Sequence, residues 1–399
     1  MKKSKTHELS KRLLFTILIL AVYMAGRSLL LYNVDSAAYQ SEELDSQNIV
    51  VSMVSGDIHQ YTLFALGIMP SIMASLFMWI YMAVRGTEYK ARTSPQKTQR
   101  LTMAAMVIIA FAFAVSRAER LIFKESVLDI EILKAIAVLE MTIGAIIIYK
   151  MSNLNKEHGI GAQMPIIVVN ILDNFISTIR KHTWEELYRP FLLCLMMATI
   201  ALVMENVNIR LRVQRVSIHN EYADKSYIAF KFDPIGMMPV MFAVTFFMLP
   251  QLILRFLLFL DKDNAALQYI YERLSLTDVM GVAVYLGIIF LLNVLFSFIM
   301  LSPGEMAGQL QKGGDSIVNI YAGRKTKKYL RKKVFLLSVS SGVVMCLMMG
   351  ISLFLSLRGE ISPQLAMLPM TGMFLTGMSC GLYREVRTYW KFDSYSFFI

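Results

Sequence analysis

The sequence predicts an all-α membrane protein, with ten transmembrane helices in two inverted, pseudo-symmetric halves of five. Three observations lead there. Of 399 residues, 56% are hydrophobic and only 17% are charged, and the mean hydropathy is +0.52. A soluble domain carries roughly a quarter charged residues. Ten apolar runs approach or reach the ~20 residues that a span needs. One short motif also occurs twice, in the second run of each set of five.

The runs lie at approximately 13–32, 62–84, 101–116, 131–149, 162–179, 188–205, 236–259, 276–301, 334–356 and 362–383. The first follows "MKKSKTHELSKR", a basic segment with no small-residue cleavage site, so it reads as a retained span. Lys and Arg set the direction. The N-terminal segment holds five of them and is placed in the cytoplasm. Loop 33–60 then lies outside; it holds Asp35, Glu42, Glu43, Asp45 and Asp57 and no Lys or Arg. Loop 85–100 holds five basic residues and lies inside. Both termini are expected in the cytoplasm. The halves are 1–180 and 181–399.

The repeat is "GIMPSIMASLFM" from Gly67 and "GMMPVMFAVTFF" from Gly236. Gly67, Met69, Pro70, Ala74 and Phe77 match Gly236, Met238, Pro239, Ala243 and Phe246. Five spans per half is odd, so the second half enters from the opposite side. Inverted repeats place functional elements near the midplane where the repeats meet. The shared faces are Ile, Met, Phe and Ala, without an ionisable group. Such a lining excludes ions by dewetting and deforms around what passes. A secondary transporter is the rival reading. Transporters of this plan break the first helix of each half, whereas here the Gly/Pro interruption sits on the second.

Two inside loops are long. In 206–235, "RLRVQRVSI" and "SYIAFKF" flank a polar turn, the pattern of a hairpin that would project Arg210, Arg212 and Arg215. In 302–333, Lys312 and "GRKTKKYLRKK" gather eight basic residues. Positive-inside topology and attraction to anionic lipids account for part of this charge. Docking of a partner with an acidic surface is the alternative. There is no P-loop, so the energy for transport must come from a partner or the membrane potential. No metal, cofactor or nucleic-acid partner is expected. The three cysteines fall inside apolar runs, without a disulfide framework. Glu140 lies mid-span, either a functional carboxylate or a hydrogen-bonded packing residue; its partner is not readable from the sequence. Asp173 and Asn174, toward the outer end of the fifth run, are expected to face water.

"FALGIMPSIMAS" resembles the second-span signature of the SecY family of protein-conducting channels. "HGIGAQMPIIVV", "SYIAFKFDPIGMMPVMFA", "SPGEMAGQLQKGG" and "GRKTKKYL" extend the resemblance in order and spacing. The resemblance implies a SecY-like fold, a waist of aliphatic side chains and a plug segment. Carried over by motif, the ring is Ile68, Ile72, Met164, Val168, Met241 and Leu375. The plug is Ile49, Val50, Val51, Ser52, Met53, Val54, Ser55, Gly56 and Asp57. The motor-docking residues are Arg210, Arg212, Arg215, Tyr321, Arg324, Lys325, Lys327 and Lys328. "IYAG" stands where the housekeeping channel carries an arginine, with Tyr321 at that position. With the methionine-rich ring, the missing Pro-rich turn after the first span and the compact external loops, this is most like the accessory SecY of Gram-positive bacteria. That branch implies an accessory SecA-type ATPase, small accessory translocase subunits or a SecE-like subunit, and export of unfolded serine-rich glycoprotein adhesins. The housekeeping SecY channel is the alternative within the family.

Overall fold

The computed structural model describes residues 8–35, 61–86, 89, 92–119, 121–124, 129–214, 226–236, 238–260 and 264–395. Each of the ten apolar runs carries a helix: α1 (Glu8–Arg27), α2 (Met69–Arg85), α3 (Pro95–Ala118), α4 (Ile130–His158), α5 (Met164–Lys181), α6 (Trp184–Asn206), α7 (Met238–Leu260), α9 (Val279–Leu301), α11 (Arg324–Leu357) and α13 (Leu368–Tyr395). Shorter helices α8 (Ala265–Arg273), α10 (Pro303–Lys312) and α12 (Pro363–Ala366) stand between them. Strands β1 (Asn208–Gln214), β2 (Tyr227–Lys231) and β3 (Ser316–Ile317) complete the chain. Among the described residues, α1, α3, α4, α6, α9 (extended by α10) and α11 are long and apolar enough to cross a membrane; α2 and residues 238–251 of α7 are apolar but shorter.

Two runs differ from the expected helices for local reasons. The run at 62–84 becomes helical only at Met69, because Gly67 takes a left-handed φ of 55° and Pro70 suits only a first turn. The run at 362–383 breaks at Met367, ahead of Pro369, into α12 and α13.

The chain gathers into two compact units, residues 1–183 with 378–399, and residues 184–377. α13 therefore starts in the second unit and finishes in the first. In the first unit α3 packs on both α2 and α4, and α4 on α1. The buried stripe of α3 is Met106, Ala110, Ala114 and Ala118, one residue per turn and mostly small. Small side chains let backbones approach closely, which is what drives packing where lipid is as apolar as leucine. In the second unit α9 packs on α7 and α11. Buried Asn293 on α9 donates to Ser338 O at 2.7 Å and Ser341 Oγ at 2.9 Å on α11. Such an interhelical pair contributes about 0.6–2 kcal/mol in a membrane.

Candidate channel helices and the cytoplasmic sheet

The four helices that carry the expected ring all start alike. Their first two residues are Met69-Pro70, Met164-Pro165, Met238-Pro239 and Leu368-Pro369. A first-turn N–H has no partner inside its own helix, so proline at the second position removes one orphan donor and pre-sets φ. Before three of these starts the chain turns through a left-handed glycine: Gly67 (φ 55°), Gly161 (φ 76°) and Gly236 (φ 71°). The repeat seen in sequence thus places a left-handed glycine two residues ahead of a Met-Pro helix start twice, and a third such glycine precedes α5.

Ile68 caps α2 and Ile72 lies one turn on; both are fully buried. Met164 and Val168 are one turn apart on α5 and half-buried, as are Met241 on α7 and Leu375 on α13. The first unit carries four of the six and the second unit two. The plug positions 49–57 and Arg215 lie outside the described residues.

The turn into α5 is held by side chains that the motif did not single out. Asn155 of α4, fully buried, donates Nδ2 to Ile160 O at 2.9 Å and Ala162 O at 2.7 Å. Its Oδ1 accepts from Thr16 Oγ of α1 at 3.0 Å, and that hydroxyl accepts from Ile160 N at 2.9 Å. Arg12 donates to Gly159 O at 3.2 Å, and Gly161 N donates to Glu385 Oε2 of α13 at 3.0 Å. Asp393 in turn accepts from the backbone N–H of Glu8 (3.3 Å) and Leu9 (3.0 Å), capping α1. The start of α5, with Met164, is therefore fixed from α1, α4 and α13 together.

The same α1–α5 seam corrects an expectation. Tyr23 donates to Asn170 at 2.8 Å and Arg27 pairs with Asp173 at 2.7 Å. Asn174 is buried instead of facing water, and Asp173 is half-exposed and ion-paired. The reason is spacing: 170, 173 and 174 share one helical stripe, and α1 covers it. Glu140 also gains its partner, the Tyr32 N–H at 3.0 Å.

The two long inside loops fold together. β1 and β2 form the expected antiparallel hairpin, Arg210 opposite Ala229 and Leu211 opposite Ile228. β3, from the second loop, pairs on the other side of β1, Val213 opposite Ile317, giving the order β2-β1-β3. Leu211 and Val213 point inward, while Arg210 and Arg212 point out. Leu211, Phe230, Ala307, Ile317, Leu330, Val334 and Leu337 form a core that ties the sheet to α10 and α11. Beside it, Tyr321 is 79% exposed and carries the Lys325 ammonium 4.9 Å above its ring. Arg324, Lys325, Lys327 and Lys328 are exposed on the opening turns of α11. A helix N-terminus repels cations, at roughly 0.3–1 kcal/mol each. This cluster therefore costs local stability and does not serve α11 itself.

Where the sheet joins α7, Asp233 is fully buried and Glu205 nearly so. Gly236 N donates to Asp233 Oδ1 at 3.2 Å, and Lys231 Nζ lies 3.5 Å from Glu205 Oε2. Burial, reinforced by the Glu205 charge, pushes the Asp233 carboxyl up to about 7. The Asp-Pro in "KFDPIG" marks a turn in the sequence, but Glu205, whose charge acts on Asp233, lies 28 residues earlier and leaves no local signal.

A family model described as SecY matches residues 62–379. An accessory Sec system protein translocase subunit SecY2 of Streptococcus sanguinis strain SK36 is 25% identical over 394 residues, 96% of this chain and 97% of that protein. A second, from Leuconostoc gelidum subsp. gasicomitatum, is 25% identical over 409 residues, 98% of this chain and 97% of that protein. Among solved structures, one described as "The structure of a protein conducting channel" superposes with a TM-score of 0.67 at 16% identity, over 97% of this chain and 94% of that one.

Proposed function

The chain belongs to the SecY family, and from that premise we propose that it is the channel subunit of an accessory Sec system in the cell membrane. The observation that carries this reading is the end-to-end match to accessory SecY2 subunits, which favours it over the housekeeping channel. An unfolded chain enters from the cytoplasm, displaces the plug at 49–57 and widens a ring of Ile68, Ile72, Met164, Val168, Met241 and Leu375. The ring seals because it has no polar atom to hold water, and its two methionines yield because they are unbranched. Both termini lie in the cytoplasm, and the substrates are serine-rich glycoproteins.

The motor is a SecA-type ATPase seated on the three-stranded sheet. Arg210 and Arg212 stand on β1, with Arg215 next in sequence after its last residue, and Tyr321, Arg324, Lys325, Lys327 and Lys328 stand at the head of α11. The helix-terminal cations support this, since charges placed against their own helix dipole are relieved by an acidic partner. A SecE-like subunit and anionic lipids complete the assembly. A photo-cross-linker at Tyr321, in membranes holding the accessory ATPase, tests the docking. Capture of the ATPase is expected; capture of lipid alone would remove the motor assignment.

A further inference from the structure

The cytoplasmic sheet has an edge that its own strands do not cover. Val213 N donates to Ser226 O and Phe232 N to Val207 O, both at 2.9 Å, so residues 226, 228, 230 and 232 turn their backbone groups toward β1. In an antiparallel pair the residues between them turn theirs away. The N–H and C=O of Tyr227 and Ala229 therefore point out from the free side of β2. β3 lies on the far side of β1, and among the described residues no backbone group pairs with Tyr227 or Ala229 on that free side. Edge strands are ordinarily blunted by a proline, a bulge or a charged residue. β2 has no proline, its register runs unbroken from Tyr227 to Lys231, and its one lysine stands at the end beside Asn208, where it pairs with Glu205. At the centre of the strand is exposed Ala229, a poor strand former with little bulk beside the backbone.

The outward face of the same two strands is cationic. Asn208, Arg210 and Arg212 stand opposite Lys231, Ala229 and Tyr227, all on one face. Neither strand contains a carboxylate. The Arg210 guanidinium rests 4.8 Å from the centre of the Tyr227 ring, so its charge lies over the edge strand. The opposite face is closed, with Leu211 and Phe230 in the core that meets α10 and α11.

We propose that β2 accepts an extended, acidic segment of the cytoplasmic ATPase as a fourth strand of the sheet. Backbone pairing at Tyr227 and Ala229 supplies affinity, and alternate side chains of the added strand fall on the Arg210 and Arg212 face. The open backbone groups call for an extended partner, and the cationic face without a carboxylate calls for an acidic one. A second copy of this chain would bring the same arginines onto the same face, which their charge opposes. The identity of the partner rests on the motor-docking reading; the strand addition is a further claim about how that partner is held.

Site-resolved hydrogen–deuterium exchange of the full chain in lipid nanodiscs, with and without the ATPase, tests this. The Tyr227 and Ala229 amides should exchange about tenfold more slowly in the complex, whereas those of Ile228 and Phe230 are held by the hairpin already. Ala229→Pro removes one outward N–H and keeps the hairpin bonds, since a proline is tolerated on an edge strand where its N–H would face away. It should weaken ATPase binding about tenfold without changing how steeply binding falls with salt. Ala229→Ser, which keeps the N–H, should bind as wild type, and Arg210→Gln should flatten the salt dependence instead. Two results would overturn the added strand and leave the motor reading standing. One is bound ATPase with Tyr227 and Ala229 exchanging as in the free chain. The other is Ala229→Pro binding as wild type with Ile228 and Phe230 still protected. If Ala229→Pro loses the hairpin, the wild-type exchange decides alone. Protection that appears without the ATPase as the chain dimerises would overturn the proposal in favour of a second copy. An ATPase that does not bind at all would remove both readings.

Discussion

Asn155→Asp is nearly isosteric, yet it should be among the more damaging single changes in the first unit. The Asn155 amide nitrogen donates to two carbonyl oxygens, at 2.9 and 2.7 Å, in a fully buried site. In aspartate an acceptor replaces that donor. Two carbonyl groups then lose their partner, and a buried carboxyl oxygen points at both. Each buried polar group left unsatisfied costs about 1–3 kcal/mol, and a charge costs more. The expected loss is therefore about 3–5 kcal/mol, with partial relief if the carboxyl takes up a proton. Asn155→Ala removes the same donors without adding an acceptor and should cost less. The assay is thermal unfolding of the purified protein in detergent, with thiol labelling of a Met164→Cys variant as a local readout. The midpoint should fall by several degrees for Asp, and less for Ala. Asp equal to wild type, or milder than Ala, would refute the claim that this amide holds the α5 turn.

Four further outcomes follow from the same geometry. Asp233 has a folded pKa raised above its unfolded value, so its contribution to stability is whole at low pH and is lost as pH rises through about 7. The rise from the ordinary 3.8 to about 7 bounds the loss at about 4 kcal/mol; Asp233→Asn should be the more stable protein at about pH 8 and should converge with wild type only below about pH 4, as chemical denaturation at each pH will show. Met241→Asp or Ile72→Asp should raise ion leak in proteoliposomes, because a carboxylate wets an apolar constriction; unchanged conductance would refute the assigned ring. Neutralising Arg324, Lys325, Lys327 and Lys328 to Gln should stabilise the head of α11 by about 0.3–1 kcal/mol per residue while weakening the ATPase and flattening its salt dependence, as binding isotherms at two ionic strengths will show. Gly236→Ala should cost about 1–2 kcal/mol for the left-handed backbone alone, with more for displacing Glu205, read by the same unfolding assay.

What was legible in the sequence is what is written locally. Apolar length marked the helices, and Gly-x-Met-Pro marked where α2 and α7 begin, since a left-handed glycine and a first-turn proline are local constraints. The hairpin of β1 and β2 was readable from alternation. β3 was not: two residues carry no periodicity, and their pairing with Val213 and Gln214 spans about a hundred residues. Thr16, Asn155 and Glu385 were missed for the same reason, since they hold the α5 turn from three separate helices. Asn174 was misread because solvent and a covering helix leave the same mark on a single chain position. The crossing of α13 from one unit to the other is likewise a matter of packing, and no residue in it announces the change.

The central claim is that an unfolded polypeptide passes the ring. Photo-cross-linkers placed one at a time at Ile72 and Met241, in vesicles where a serine-rich glycoprotein is stalled mid-export, test it most directly. Adducts to the stalled chain from both positions are expected, and they should vanish without the ATPase. Adducts to lipid alone from both positions, while the substrate still crosses the membrane, would contradict the account.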